Sequence, residues 1–286
     1  MKALKALLIS SRPISWVNTA FPFFLAYWST TGRVDETLIL GTIFFLIPYN
    51  LLMYGINDVF DYESDLRNPR KGGIEGALLD KKYHTLMIWV SLGLTFGFMF
   101  LLIPRGDDVA TMFLMVSVLS VLAYSVPRLR FKEKPFLDSF TSALHFVGPM
   151  VYGLALGSAD FGNIRISIVI AAFMLWGIAS HAFGAVQDVK ADREAGIGSV
   201  ATEIGAKGAV QFSFGAYLAS GLLLLTIGWP GSLAAAAVLP YLAIIFPYLK
   251  IEDSEAEKAN RGWRKFIFLN FLAGAIVTMI VLDYLK

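Results

Sequence analysis

The sequence predicts an all-α integral membrane protein: nine transmembrane helices in one bundle, with a cytoplasmic N-terminus and an external C-terminus. Three observations predict it. Of the 286 residues, 56% are hydrophobic and only 16% are charged, against about 25% charged in soluble domains, and the mean hydropathy is +0.63. Uncharged windows of membrane-crossing length recur from one end to the other. The cations between them fall almost entirely on alternate loops.

Each window is bounded by charges. Span one, 13–32, lies between Arg12 and Arg33, and span two, 37–57, between Glu36 and Asp58. Span three, 83–104, lies between Lys82 and Arg105; span four, 109–127, between Asp108 and Arg128. Span five, 139–159, is set off by Asp138 and Asp160, and span six, 166–187, by Arg165 and Asp188. The stretch 208–249 runs 42 residues without a charge, twice the roughly 20 needed to cross a bilayer. Trp229-Pro230-Gly231 at its middle supplies the turn that divides it into spans seven and eight. Span nine is 266–282. At about 20 residues each, nine spans take up some 180 residues, so 1–286 is expected to be one transmembrane domain. Span one is too long for the apolar region of a typical signal peptide, and no small-residue cleavage site follows it.

Cytoplasmic loops carry the excess of Lys and Arg. With the N-terminus inside, the inner loops hold three (Lys2, Lys5, Arg12), then five (Arg67, Arg70, Lys71, Lys81, Lys82). They continue with four (Arg128, Arg130, Lys132, Lys134), three (Lys190, Arg193, Lys207) and five (Lys250, Lys258, Arg261, Arg264, Lys265). The outer set is Arg33, Arg105, Arg165 and Lys286. Twenty cations against four fixes the expected orientation; the expected location is the plasma membrane. The net charge of +2 suggests no nucleic-acid partner, and the absence of Cys excludes disulfides and thiolate metal sites.

The acids are concentrated at two places. Asp58, Asp61 and Asp65 follow span two at i, i+3 and i+7, so a continued helix puts the three carboxylates on one face. Asp188 and Asp192 follow span six one turn apart. Both clusters emerge on the cytoplasmic side. Carboxylates crowded at a helix C-terminus meet the negative end of the helix dipole and need cations. Oxygen-only ligands on two facing helices suit Mg²⁺, which fills its other positions with water and phosphate oxygens. Arg67, Arg70 and Lys71 trail the first cluster and Arg193 the second. Tyr124, Arg130 and Lys132 stand where span four meets its loop. Acids for a metal beside bases for phosphate oxygens form the constellation a diphosphate requires. Lys81, Lys82, Glu252, Asp253, Glu255 and Glu257 are read as solvated charges.

Within the spans, polar residues are few. His181 lies seven residues before Asp188, roughly 10 Å deeper. It either lines a cavity and accepts a proton, or forms a helix–helix hydrogen bond. Asn50, two turns inside Asn57, and Asn18 on span one are candidate substrate contacts. His84 and His145 are read as structural. No Lys or Arg lies inside any span, which suits a hydrocarbon substrate. The aromatic-rich interior, with 23 Phe, 11 Tyr and 6 Trp in the chain, would exclude water and offer faces to a carbocation.

Asn57-Asp58-x-x-Asp61-x-x-x-Asp65 and Asp188-x-x-x-Asp192-x-x-x-Gly196 resemble the two aspartate-rich motifs of the UbiA superfamily of intramembrane prenyltransferases. Within it, the stretches 11–16, 57–73, 124–132 and 181–188 are most similar to lycopene elongases of carotenoid synthesis. The resemblance implies Mg²⁺ held by Asn57, Asp58, Asp61, Asp65, Asp188 and Asp192, clamping the diphosphate of dimethylallyl diphosphate. It implies transfer of the dimethylallyl group through an allylic carbocation to one or both ends of lycopene, at a site opening to the cytoplasm. A quinone-precursor or ether-lipid acceptor is the first alternative. A cation-coupled transporter is the second, disfavoured because transporter sites lie near the midplane.

Overall fold

The computed structural model describes residues 2–66 and 78–284, and all regular structure among them is helical. The chain folds into two compact units, one of Met1–Arg130 with Gly148–Ala159 and the other of Phe131–Val147 with Asp160–Lys286.

The first unit opens with α1 (Lys2–Ser10), which ends where Arg12 takes φ 51° and Pro13 starts a 3₁₀ turn. α2 (Val17–Thr31) follows. α3 (Glu36–Phe60) starts at Asp35, whose side chain accepts the Leu38 N–H at 2.9 Å, an N-cap. α4 (Lys81–Arg105) and α5 (Asp108–Ser125) come next, with Asp107 capping α5 at the Ala110 N–H. The core of this unit is aromatic: Phe23, Phe44, Phe45, Tyr49 and Tyr152 are buried and in ring contact. Tyr152 belongs to α6 (Leu137–Leu156), whose second half lies in this unit. At Gly153 a Cβ would stand 2.7 Å from the Phe23 carbonyl oxygen, so α6 can lie against α2 backbone only through a glycine.

The second unit holds the first half of α6, then α7 (Ile164–Val186), α8 (Val189–Ala195), α9 (Val200–Leu225), α10 (Gly231–Tyr248) and α11 (Asn260–Tyr284). α7 and α9 pack side by side. Ser213 and Ser220 on α9 donate hydroxyls to the Ala179 and Ala172 carbonyls, each at 2.7 Å. Phe183, Tyr217, Tyr241 and Ile245 form the buried core. Trp229-Pro230 does divide α9 from α10, as the sequence predicts.

Seven helices among the described residues are long and apolar enough to cross a membrane, and the bent pair Asp253–Phe266 and Phe268–Asp283 makes an eighth candidate. Large apolar side chains such as Trp89, Phe100, Phe246 and Met279 stand exposed, as contact with lipid rather than water requires. This is a multi-pass membrane protein. Two expectations need correction. The span predicted over 13–32 is a helix of only 15 residues, because the left-handed turn at Arg12 and the 3₁₀ turn after it use up its start. The span predicted to begin at 208 begins at Val200, in a turn that carries Glu203 and therefore lies outside the uncharged window. Gly205, at φ 75°, joins that turn to the rest of α9.

Candidate active site

The first acid cluster grows out of an irregular helix. α3 contains Pro48 and a π turn over Leu51–Gly55, a widened turn often found at functional sites. The helix does not continue regularly through the acids, as the sequence reading expected. Asp61 leaves it at φ −97°, ψ 0°, and a short helical turn, Tyr62–Asp65, follows. The ladder nevertheless keeps its spacing: the Asp61 N–H bonds to the Asn57 carbonyl at 2.9 Å and the Asp65 N–H to that of Asp61 at 2.8 Å. Asp58, Asp61 and Asp65 are all buried.

Two guanidinium groups reach these acids. Arg12 Nη2 lies 3.1 Å from Asp58 Oδ1, and the same guanidinium sits 4.3 Å from the centre of the Tyr54 ring. Arg130 Nη2 lies 3.3 Å from Asp61 Oδ1. Arg130 is presented by a tight turn after α5, in which its N–H bonds to the Val126 carbonyl at 3.1 Å. Arg128 and Arg130 take φ 79° and 39° there, a conformation non-glycine residues adopt only when the surroundings impose it. Ser125, at the end of α5, donates its hydroxyl to Asn57 Oδ1 at 3.0 Å. Tyr124 is half-buried beside it.

The second cluster lies in the other unit. α7 stops at Val186, and Asp188 stands at the N-cap position of α8 instead of extending α7. The Asp192 N–H bonds back to the Asp188 carbonyl at 2.8 Å, so the two acids remain one turn apart. Both are half-buried. Gln187 is fixed between the Gly184 carbonyl, to which it donates at 3.0 Å, and the Asn260 amide, from which it accepts at 2.6 Å. Lys132 is half-buried in the turn Phe131–Glu133.

Arg193 has a partner the sequence did not suggest. It pairs with Asp253 and donates to the Thr202 carbonyl at 3.0 Å. Asp253 in turn accepts the Ala206 N–H at 2.6 Å, capping α9 where Gly205 interrupts it. Asp253 is therefore no mere solvated charge. Its pairing directs Arg193 toward α9 rather than toward a phosphate.

Asn50 also departs from expectation. It is fully buried and donates to Thr19 Oγ1 and the Phe45 carbonyl, each at 2.7 Å, and to the Leu46 carbonyl at 3.1 Å. It braces the backbone around Pro48 and has no surface to offer a substrate. Asn18 is half-buried on α2. His84 contacts the Leu79 carbonyl at 3.0 Å and packs edge-on against Tyr62, and His145 is buried. Arg67, Arg70 and Lys71 lie outside the described residues.

His181, on α7, places Nδ1 3.0 Å from Ser139 Oγ and 3.9 Å from Asp138 Oδ2. Sequence reasoning missed Asp138, Ser139 and Arg12. The available signals were an isolated acid directly before an uncharged window, and an Arg-Pro pair directly before another.

The acids suit a hard divalent cation. They offer oxygen donors only, and guanidinium groups already stand in for positive charge at Asp58 and Asp61. Among the described residues no three His, Asp or Glu side chains converge on one point. An ion held here would take a few carboxylate oxygens and complete its shell from phosphate and water, the habit of Mg²⁺.

Comparison with known proteins agrees with this chemistry. The profile of the UbiA prenyltransferase family matches residues 19–272. The chain is 53% identical over 281 residues to the "C(50) beta-cyclic carotenoids biosynthesis protein LbtBC" of Dietzia sp. (strain CQ4), covering 98% of this chain and 65% of that protein. It is 47% identical over 282 residues to a "Lycopene elongase/hydratase" of Corynebacterium glutamicum, covering 99% of this chain and 98% of that one. Its fold is similar to a UbiA homolog from Archaeoglobus fulgidus solved bound to GPP and Mg²⁺, with a TM-score of 0.71 and 19% identity over 96% of this chain and 99% of that chain. From its acid clusters to its helical membrane fold, this enzyme belongs to the UbiA prenyltransferase family.

Proposed function

We propose that this prenyltransferase moves the dimethylallyl group of dimethylallyl diphosphate onto one or both ends of lycopene, toward a fifty-carbon carotenoid. The observation that carries the donor half is the buried row Asp58, Asp61 and Asp65 with Arg12 and Arg130 against it. Anionic oxygens and fixed guanidinium groups on one short stretch are what a metal diphosphate needs. The names of the Dietzia and Corynebacterium relatives support the acceptor half.

In this reading 1–286 acts as one domain in the plasma membrane, with its N-terminus and active site on the cytoplasmic side and its C-terminus outside. Asn57, Asp58, Asp61, Asp65, Asp188 and Asp192 would hold Mg²⁺, which supplies charge neutralisation to the departing diphosphate. Arg130, poised at Asp61, donates hydrogen bonds to phosphate oxygens as negative charge grows on them. Tyr124, Lys132 and the loop cations Arg67, Arg70 and Lys71 add to that anion site. Ser125 orients Asn57 through its hydrogen bond. The apolar helices keep water from the allylic cation. Stretches without Lys or Arg, such as 83–104 and 166–187, accept a hydrocarbon end without stranding a charge in lipid.

The test supplies purified enzyme in lipid vesicles with dimethylallyl diphosphate, Mg²⁺ and one acceptor at a time. Lycopene should gain one or two five-carbon units by mass. Prenylation of an aromatic acid or a glycerol phosphate ether, with lycopene unchanged, would replace the acceptor and leave the family intact.

A further inference from the structure

Prenyl transfer to a terminal alkene leaves a tertiary carbocation. It can lose a proton to become an alkene or capture water to become an alcohol. The side chain that takes the proton decides between them. Resting on the prenyl-transfer reading above, we propose that His181 is that proton acceptor and that Asp138, with Ser139, is the positioning pair that makes it one.

The geometry begins with Asp138. Its side chain is inaccessible, yet it is not a loose buried charge. Oδ1 accepts the Ser139 N–H at 2.7 Å and Oδ2 accepts the Val200 N–H at 2.8 Å. Val200 is the first residue of α9, and Ser139 lies in the first turn of α6. Two helix N-termini thus hold the carboxylate in a fixed position. Oδ2 of that fixed carboxylate is 3.9 Å from His181 Nδ1, and the Ser139 hydroxyl is 3.0 Å from the same nitrogen. A nearby carboxylate favours the tautomer with its proton on Nδ1, which puts the basic lone pair on Nε2. Asp138 and Ser139 are sealed from the surface, whereas the His181 side chain keeps 17% of its accessibility. The ring is the member of the group that another molecule can touch.

The depth also fits. His181 precedes Asp188 by seven residues, about 10 Å along a helix, and α7 is unbroken from His181 to Val186. The diphosphate is expected at the acids, the new carbon–carbon bond at the allylic carbon that it leaves, and the acceptor cation next to that bond, below the ion and the diphosphate. In the step itself the allylic C–O electron pair leaves with the diphosphate. The acceptor π pair forms the C–C bond and leaves the tertiary cation. The electrons of an adjacent C–H bond close the new double bond, and its proton passes to His181 Nε2. Where water bonds to the cation instead, the proton is lost from that water and the product is the alcohol.

The experiment measures carotene products by mass, and released diphosphate, for wild type, His181→Gln, Asp138→Asn, Ser139→Ala and the His181→Gln/Asp138→Asn double variant in lipid vesicles. A glutamine amide cannot take the proton. His181→Gln should lower the alkene rate about a hundredfold, within the range for a general base, and raise the share of product one water heavier. Asp138→Asn should shift the ratio in the same direction, and the double variant should be no worse than His181→Gln alone. Asn at 138 turns an amide toward the Val200 N–H, so Ser139→Ala, which keeps the cap, carries the test should Asp138→Asn fail to fold. An alkene-to-alcohol ratio equal to wild type in every folded variant, however slow, overturns the proposal. So do losses that multiply in the double variant. A wild-type enzyme that consumes dimethylallyl diphosphate and leaves lycopene untouched contradicts the acceptor reading and this inference together.

Discussion

Asp58 and Arg12 stand 46 residues apart in the chain and form an ion pair at 3.1 Å, the carboxylate fully buried and the guanidinium 17% exposed. The left-handed turn at Arg12 is what aims its side chain back at α3. A cation so placed holds one of the candidate metal ligands oriented before any substrate arrives.

Removing that cation should therefore be costly. Breaking a buried pair from one side costs on the order of 3 kcal/mol, so Arg12→Ala should melt several degrees below wild type in detergent without metal. Saturating Mg²⁺ should recover part of the difference by supplying the missing charge. Equal melting of the two proteins in chelator would show that Asp58 does not depend on Arg12.

The Arg193–Asp253 pair makes a contrasting prediction. Both side chains are more than a third exposed, and exposed pairs contribute about 0–1 kcal/mol. Arg193→Ala should leave dimethylallyl diphosphate affinity within twofold of wild type. Asp253→Ala should lower stability by about 1 kcal/mol, because it also removes the cap on the Ala206 N–H. A large loss of donor affinity in Arg193→Ala, measured by titration, would return that side chain to the anion site.

Orientation can be read by single-cysteine labelling, since the chain has no native Cys. A Cys at Lys132 or at the exposed Lys207 should react only with reagent on the cytoplasmic side, and one at Arg105 or Arg165 only with reagent outside. Labelling of position 132 from outside would invert the topology.

The membrane spans were legible because a charge in lipid is expensive, so chain segments such as 83–104 and 166–187 declare themselves by what they lack. Local exceptions were not. Nothing in composition distinguishes the 15-residue α2 from a full span, because its shortness comes from the backbone angle at Arg12. The acid clusters were legible as spacing, but not the break at Asp61 or the fresh helix start at Asp188, where hydrogen-bond geometry decides. Asn50 looked like a ligand for the same reason it is a brace: a buried amide needs partners, and sequence does not say whether they are substrate or backbone. The Asp138–His181 contact joins residues 43 positions apart, and only tertiary packing brings them together.

The proposed function requires a divalent ion and acids from each cluster for dimethylallyl transfer. Its most direct test is dimethylallyl transfer by wild type, Asp61→Asn and Asp188→Asn, each confirmed folded by melting, with chelator and then with Mg²⁺ restored. Chelation should stop the wild type and Mg²⁺ should restart it. Each variant should fall about a thousandfold, a loss of roughly 4 kcal/mol of transition-state stabilisation, with no rescue by excess metal. Wild-type turnover in either variant, or in chelator, would contradict the account.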